Sequence, residues 1–199
     1  MVYLYIFHNI NVMLLFRYRT FLFIFLTTLD YNQIENQDAI ILNELEDLPV
    51  ALGTTLKSFY EKGGNIIFIP SEEASVSNMN AFLSTISSIQ YKTKNSNEKL
   101  VTKINFSHPL FSSVFEKQVT NFQFPKTKTS FEISNTSPVA LGYNDQTAFL
   151  SSSQSEVATA YVFSAPLNKL NSNFQNSPIV VPVFYNMGQN AQKAGINVL

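Results

Sequence analysis

DAIILNELEDLPVALGTTLKSFYEKGGNIIFIPS (residues 38–71) is the stretch from which the fold is read. Ala39-Ile40-Ile41-Leu42 is a continuous apolar run after an acidic residue, the pattern of a strand covered on both faces in a parallel sheet. Asn43-Glu44-Leu45-Glu46-Asp47 follows as a polar, acidic connection, with Asp47 the expected N-cap and Pro49 acceptable in the first helical turn. Leu48, Leu52, Leu56, Phe59 and Tyr60 then recur on one face of a 3.6-residue period, which predicts an amphipathic helix. Gly63-Gly64 ends it, because glycine enters the left-handed conformation without a Cβ penalty. Asn65-Ile66-Ile67-Phe68-Ile69 reads as a second buried strand, closed by Pro70-Ser71. Two such strands joined by a helix should run parallel, with a right-handed crossover.

Working outward, residues 72–91 predict a loop containing Glu72-Glu73. A second helix follows on Val76, Met79, Phe82, Leu83 and Ile86, capped by Ser75 or Ser77, and then a short strand at 89–91. Residues 92–99 read as a polar, mobile loop. Strands are expected at 100–106, 119–124, 130–133 and 139–143. Their alternation suits antiparallel pairing better than double-sided burial. Residues 158–165 return to the buried-strand style, 166–177 are a long polar loop, and 178–187 read as a helix or as a strand that Pro182 confines to an edge, with helix favoured by the spacing of Val181, Phe184, Tyr185 and Gly188. The expected fold class is therefore α/β: a mostly parallel sheet flanked by helices, with an antiparallel β insertion in the middle third.

Three segments follow. Residues 1–29 form an atypical apolar N-terminal segment, 30–190 the α/β domain, and 191–199 a tail read as truncated. The first segment holds two apolar runs around Arg17-Tyr18-Arg19 and no acidic residue before Asp30. Neither run reaches the ~20 apolar residues of a membrane-spanning helix. Merged, they would place two arginines near the bilayer centre at roughly 2.5–3.5 kcal/mol each. An anchor remnant, a signal-like segment, a misread start and a core strand at 21–26 are the readings left open.

Composition narrows the chemistry. Of 199 residues 45% are hydrophobic, 18 are Phe, and none is Cys or Trp, so there is no disulfide framework, thiolate metal site or cysteine nucleophile. Thirteen basic against 14 acidic residues, net charge −1, offer no basic stripe for nucleic acid. His8 and His108 are a hundred residues apart and fit no metal spacing. Glu44, Glu46 and Asp47 are read as capping and solvated charges, and no serine sits in a G-x-S-x-G elbow. The only glycine pair follows its helix, the wrong end for a phosphate. Catalytic, metal and cofactor assignments are therefore none. In an open α/β sheet ligands bind beyond the carboxyl ends of the strands. The candidate pocket comprises Asn43, Glu44, Ser71, Glu72 and Ser164 there, with His108 added as the one credible base.

The order D-A-I-I-L-N-E, amphipathic helix, K-G-G-N-I-I-F-I-P-S resembles the class I glutamine amidotransferase-like fold. Together with S-H-P-L-F at 107–111, Y-V-F-S-A-P-L-N at 161–168 and S-N-F-Q-N-S-P-I-V-V-P-V-F at 172–184, it resembles that domain of membrane-anchored Bat-type aerotolerance-regulator proteins, over about residues 28–190. The resemblance implies a non-catalytic domain of a membrane-associated regulatory or bacterial envelope protein, acting on protein partners or as a scaffold. Membrane association would run through a missing or altered N-terminal region. Catalytic members of that superfamily use a cysteine, which this chain lacks. The alternatives are a small-ligand-binding or hydrolase-like enzyme using the carboxyl-end pocket, and a gene fragment without independent function.

Overall fold

The computed structural model describes residues 2–7, 20–111, 124–134 and 137–189. The strand expected from 119 and the tail at 191–199 lie wholly or almost wholly outside them.

Residues 38–71 form a βαβ unit. Strand β3 (Ala39–Leu45) and strand β4 (Asn65–Pro70) pair in parallel, and both are buried almost throughout. Between them helix α1 (Val50–Glu61) buries Leu52, Leu56, Phe59 and Tyr60, the expected apolar face, while Leu48 is half-buried. The helix start differs from expectation. Pro49, not Asp47, is the N-cap residue and makes no side-chain cap bond. Asp47 instead accepts a hydrogen bond from Asn78 Nδ2 at 3.5 Å. A proline holds the extended conformation that an N-cap needs, so the helix begins one residue after it.

The end of α1 follows the sequence closely. Gly63 takes φ 95°, and the Gly63 and Gly64 amides donate to the Tyr60 and Phe59 carbonyls at 3.0 and 3.1 Å. These bonds satisfy the last-turn carbonyls. A Cβ on Gly64 would sit 2.1 Å from the Phe59 ring, so the second glycine is required by packing as well.

Among the described residues the main sheet has nine strands. In chain order they are β1 (Val2–Phe7), β2 (Thr20–Phe25), β3, β4, β6 (Lys99–Ile104), β7 (Lys126–Thr127), β9 (Val139–Tyr143), β10 (Ala148–Gln154) and β11 (Thr159–Phe163). The spatial order is β2-β1-β3-β4-β11-β10-β9-β6-β7. The first five strands in that order run parallel, and from β11 to β7 every pairing is antiparallel. The sheet is thus mixed rather than mostly parallel. The antiparallel strands continue it instead of standing beside it. The described part of residues 1–29 joins the same sheet through β1 and β2, ahead of a 3₁₀ turn at Leu26–Thr28.

Two further expectations are corrected. Residues 92–95 belong to β5 (Gln90–Asn95), which pairs antiparallel with β8 (Ser130–Ser134) in a separate two-stranded sheet, so 92–99 is not one mobile loop. Strand β10 was not expected at all. Its Ser151-Ser152-Ser153 has no apolar signal, yet the first two of these serines are buried by pairing with β9 and β11 on either side.

Alternate residues of the central strands feed two cores. Ile41, Ile67, Ile69, Tyr161 and Phe163 face helix α3 (Val180–Gln189), which supplies Val180, Val183, Phe184 and Met187. Phe149, Phe163, Phe174 and Phe184 make edge-to-face and stacked contacts there, with centroids 5.1–5.9 Å apart. Such pairs add about 0.5–1.5 kcal/mol each beyond area burial. On the other face, Ile40, Leu42, Ile66, Phe68 and Val162 meet α1 and α2 (Val76–Leu83). No helix of the described residues is long and apolar enough to cross a membrane.

Candidate functional site

Strands β3, β4 and β11 end side by side, and their carboxyl ends carry Asn43-Glu44, Ser71-Glu72 and Ser164. The structure brings these five of the six expected residues to one edge. Glu44 is aimed by a bulge: Asn43 pairs with Ile69 and Leu45 with Pro70, leaving Glu44 as the extra residue at φ 51°. A non-glycine residue there is held against about 1–3 kcal/mol of strain. Its carboxylate faces the loop after β11. Oε1 accepts from the Leu167 and Asn168 amides and Oε2 from Asn168 Nδ2, all at 2.8 Å.

From Glu44 a hydrogen-bonded chain runs along the rim. Asn168 Oδ1 accepts from the amides of Leu170 and Asn171. Asn171 Nδ2 donates to the carbonyls of Pro166 and Thr129, and its Oδ1 accepts from the Thr129 amide. Thr129 Oγ1 donates to Glu72 Oε1 at 3.2 Å, and Lys94 Nζ stands 3.2 Å from the same oxygen. Burial pushes the Glu44 carboxyl above the usual range, the Asn168 and Leu167 hydrogen bonds oppose this, and the Glu72 charge adds to it. Ser71 Oγ accepts from the Glu73 amide. Asn43 is 2% exposed, and its Oδ1 has no hydrogen-bond partner among the described residues.

Ser164 is fully buried, and its hydroxyl donates to the Tyr143 phenol at 3.1 Å. Thr127 Oγ1 donates to the same phenol oxygen, and burial pushes the Tyr143 phenol up to about 12. Ser164 therefore stands in a neutral structural network with no base beside it. His108 is elsewhere. Its Nδ1 accepts from the Leu110 amide at 3.1 Å, which leaves Nε2 to donate to Ser152 Oγ at 2.9 Å. Ser152 pairs with Tyr161, and Tyr161 with Ile67. That level is three residues, or about 10 Å, short of Pro70 at the edge. Burial holds the imidazole below its ordinary value and hence neutral. The chemistry available to His108 is that of a turn anchor.

Asn168, Asn171, Thr129 and Lys94 complete the rim and were not singled out from sequence. For the two asparagines the only local signal is the asparagine-rich character of 166–177. Among the described residues no three His, Asp or Glu side chains gather in a way that could hold a metal ion.

No family model matches the chain, and no curated protein matches it in sequence. Solved structures are similar in fold. Cytoplasmic Protein STM1381 from Salmonella typhimurium LT2 superposes with a TM-score of 0.67 at 12% identity, over 97% of this chain and 100% of that one. The mmIFT52 N-terminal domain gives 0.58 at 11% identity, over 96% and 93%. A cold-adapted beta-galactosidase from Rahnella sp. R3 gives 0.57 at 13% identity, over 82% of this chain but 24% of that one. These likenesses concern the fold: an α/β arrangement shared over nearly full length with the STM1381 chain and the mmIFT52 N-terminal domain, and over 82% of this chain with one part of a larger enzyme.

Proposed function

We propose that the chain is a non-catalytic α/β module of the class I glutamine amidotransferase-like kind that acts through protein contacts. In this reading it serves as part of a membrane-associated regulatory or envelope protein. The supporting observation is Glu44. At the edge where such sheets bind ligands, both oxygens of its carboxylate are engaged by the chain's own loop at 167–168. The hydroxyl of Ser164 is likewise engaged by Tyr143, and the sequence offers no cysteine. An edge closed by its own side chains serves as scaffold better than as reaction centre.

The test is hydrolysis. Purified chain is incubated with an aryl ester, an aryl amide and glutamine, beside Ser164→Ala and His108→Ala. No turnover above buffer is expected from any of the three proteins. Turnover in the parent that disappears in either variant would overturn the proposal. Its membrane component is tested by flotation with phosphatidylglycerol-containing vesicles. Co-flotation through the altered N-terminal region, residues 1–29, is the outcome that supports it, and a chain left wholly in the lower fractions removes that component.

One observation favours a second reading, a small-ligand site at the same edge: the buried, unpartnered Asn43 Oδ1. A compound carrying a hydrogen-bond donor that raises the melting temperature of the parent, but not of Asn43→Ala, would establish it.

A further inference from the structure

Helices α1 and α2 leave a groove of about 640 Å³ on their outer side. Its α1 wall presents Val50, Gly53, Thr54 and Lys57, one stripe at helical spacing, Asp47 lines it from the connection just before the helix, and Phe82 of α2 is in the opposite wall. Val50 is 87% exposed, the most exposed large apolar side chain among the described residues. Gly53 lies mid-helix, where glycine is among the poorest residues. Nothing inside the chain asks for it. A Cβ there would meet Leu48 Cδ2 and Phe82 Cδ2 at 3.7 Å each, ordinary contact, and the residue has no left-handed backbone.

We infer that this groove is the contact face of a homodimer in which α1 of one copy lies antiparallel against α1 of a second, crossing at Gly53. The charges choose the occupant. Asp47, just before the helix N-terminus, and Lys57, about two turns into α1, stand at opposite ends of the groove. A two-fold axis midway between them, beside Gly53, brings Asp47 of each copy to Lys57 of the other. Such self-complementarity is what an isologous interface requires. The glycine lets the two helix backbones approach where a side chain would hold them apart. Within one chain Lys57 is only 3.7 Å from Glu61 on an open surface and Asp47 holds a 3.5 Å bond to Asn78, so both are available to a second copy.

The inference rests on the reading that the chain works through protein contacts, and it adds the partner and the surface. The test is sedimentation velocity of the full chain from micromolar to hundred-micromolar concentration. A reversible dimer is expected. Asp47→Lys and Lys57→Asp each turn both symmetry-related pairs into like charges and should weaken it about tenfold or more. The double variant Asp47→Lys/Lys57→Asp should recover the parent affinity. Gly53→Leu should be monomeric while melting as cooperatively as the parent. A monomer at every concentration overturns the dimer and leaves the hydrolysis result, which bears on catalysis alone, untouched. A dimer indifferent to the charge reversals overturns the proposed face.

Discussion

Glu44 and Asn168 are joined twice, the Asn168 amide donating to one carboxylate oxygen and its side-chain Nδ2 to the other, both at 2.8 Å. The residues are 124 positions apart, and the pair fastens the loop after β11 to the end of β3. Glu44→Ala should leave the Leu167 and Asn168 amides without their acceptor. A buried orphan donor costs about 1–3 kcal/mol, and the loss of stability should fall in that range. Glu44→Gln keeps one acceptor oxygen but turns a donor toward Asn168 Nδ2, so a smaller loss is expected. Urea unfolding, read as a shift of midpoint at constant slope, measures both.

His108 makes stability depend on pH near neutrality. Its folded pKa is lowered by burial, so the unfolded chain binds the proton more readily below about 6.5. Stability attributable to His108 is therefore present above that value and lost as pH falls through it. Glu44 acts in the opposite sense. Its folded pKa is raised from 4.5, so its contribution is full below that value and is lost as pH rises through the folded pKa. Melting temperatures from pH 4 to 8 should show a His108 slope below about 6.5 that is absent in His108→Gln. A slope unchanged in that variant would assign it to another group.

Two glycines in one βαβ unit should respond oppositely to the same change. Gly53→Ala gains helix propensity without a clash and should stabilise the chain by up to about 1 kcal/mol. Gly64→Ala drives a Cβ into the Phe59 ring at 2.1 Å and should destabilise by about 1–3 kcal/mol. Paired thermal melts of the two variants decide the matter by sign alone.

Asp145 contributes to the acid limb. Partial burial pushes its carboxyl up, but hydrogen bonds from Lys99 and Thr147 and the Lys99 charge prevail and hold it at about 2. Lys99 Nζ lies 2.8 Å from the carboxylate and also sits over the Tyr143 ring at 5.2 Å. With the folded pKa below the unfolded 3.8, the contribution is present above 3.8 and disappears between there and about 2. Asp145→Asn should flatten the fall in melting temperature over that interval.

Much of the fold was legible in local pattern because the elements are locally consistent. The alternation of Leu52, Leu56, Phe59 and Tyr60, the glycine pair, and the runs at 39–42 and 65–69 each constrain a few consecutive residues, and the βαβ unit is their sum. Strand β10 was not legible, because Ser151 and Ser152 are buried by neighbours nine or more positions away along the chain. Nor was the separation of His108 from the carboxyl edge. A histidine before a proline carries no mark of the level at which its turn will meet the sheet, and here Ser152 sets that level.

By itself the sequence determined the α/β class, the central unit, the helical reading of the Pro182 segment and the lack of any cysteine chemistry. These follow from side-chain period, backbone propensity and composition, which act over a few residues or none. Tertiary structure alone decided that the sheet is mixed, that Glu44 fastens the loop after β11, and that Asp47, Gly53 and Lys57 line one groove. Each of those depends on the relative placement of segments far apart in sequence or on different elements. That placement is set by the burial of two apolar faces at once, not by anything the neighbouring residues specify.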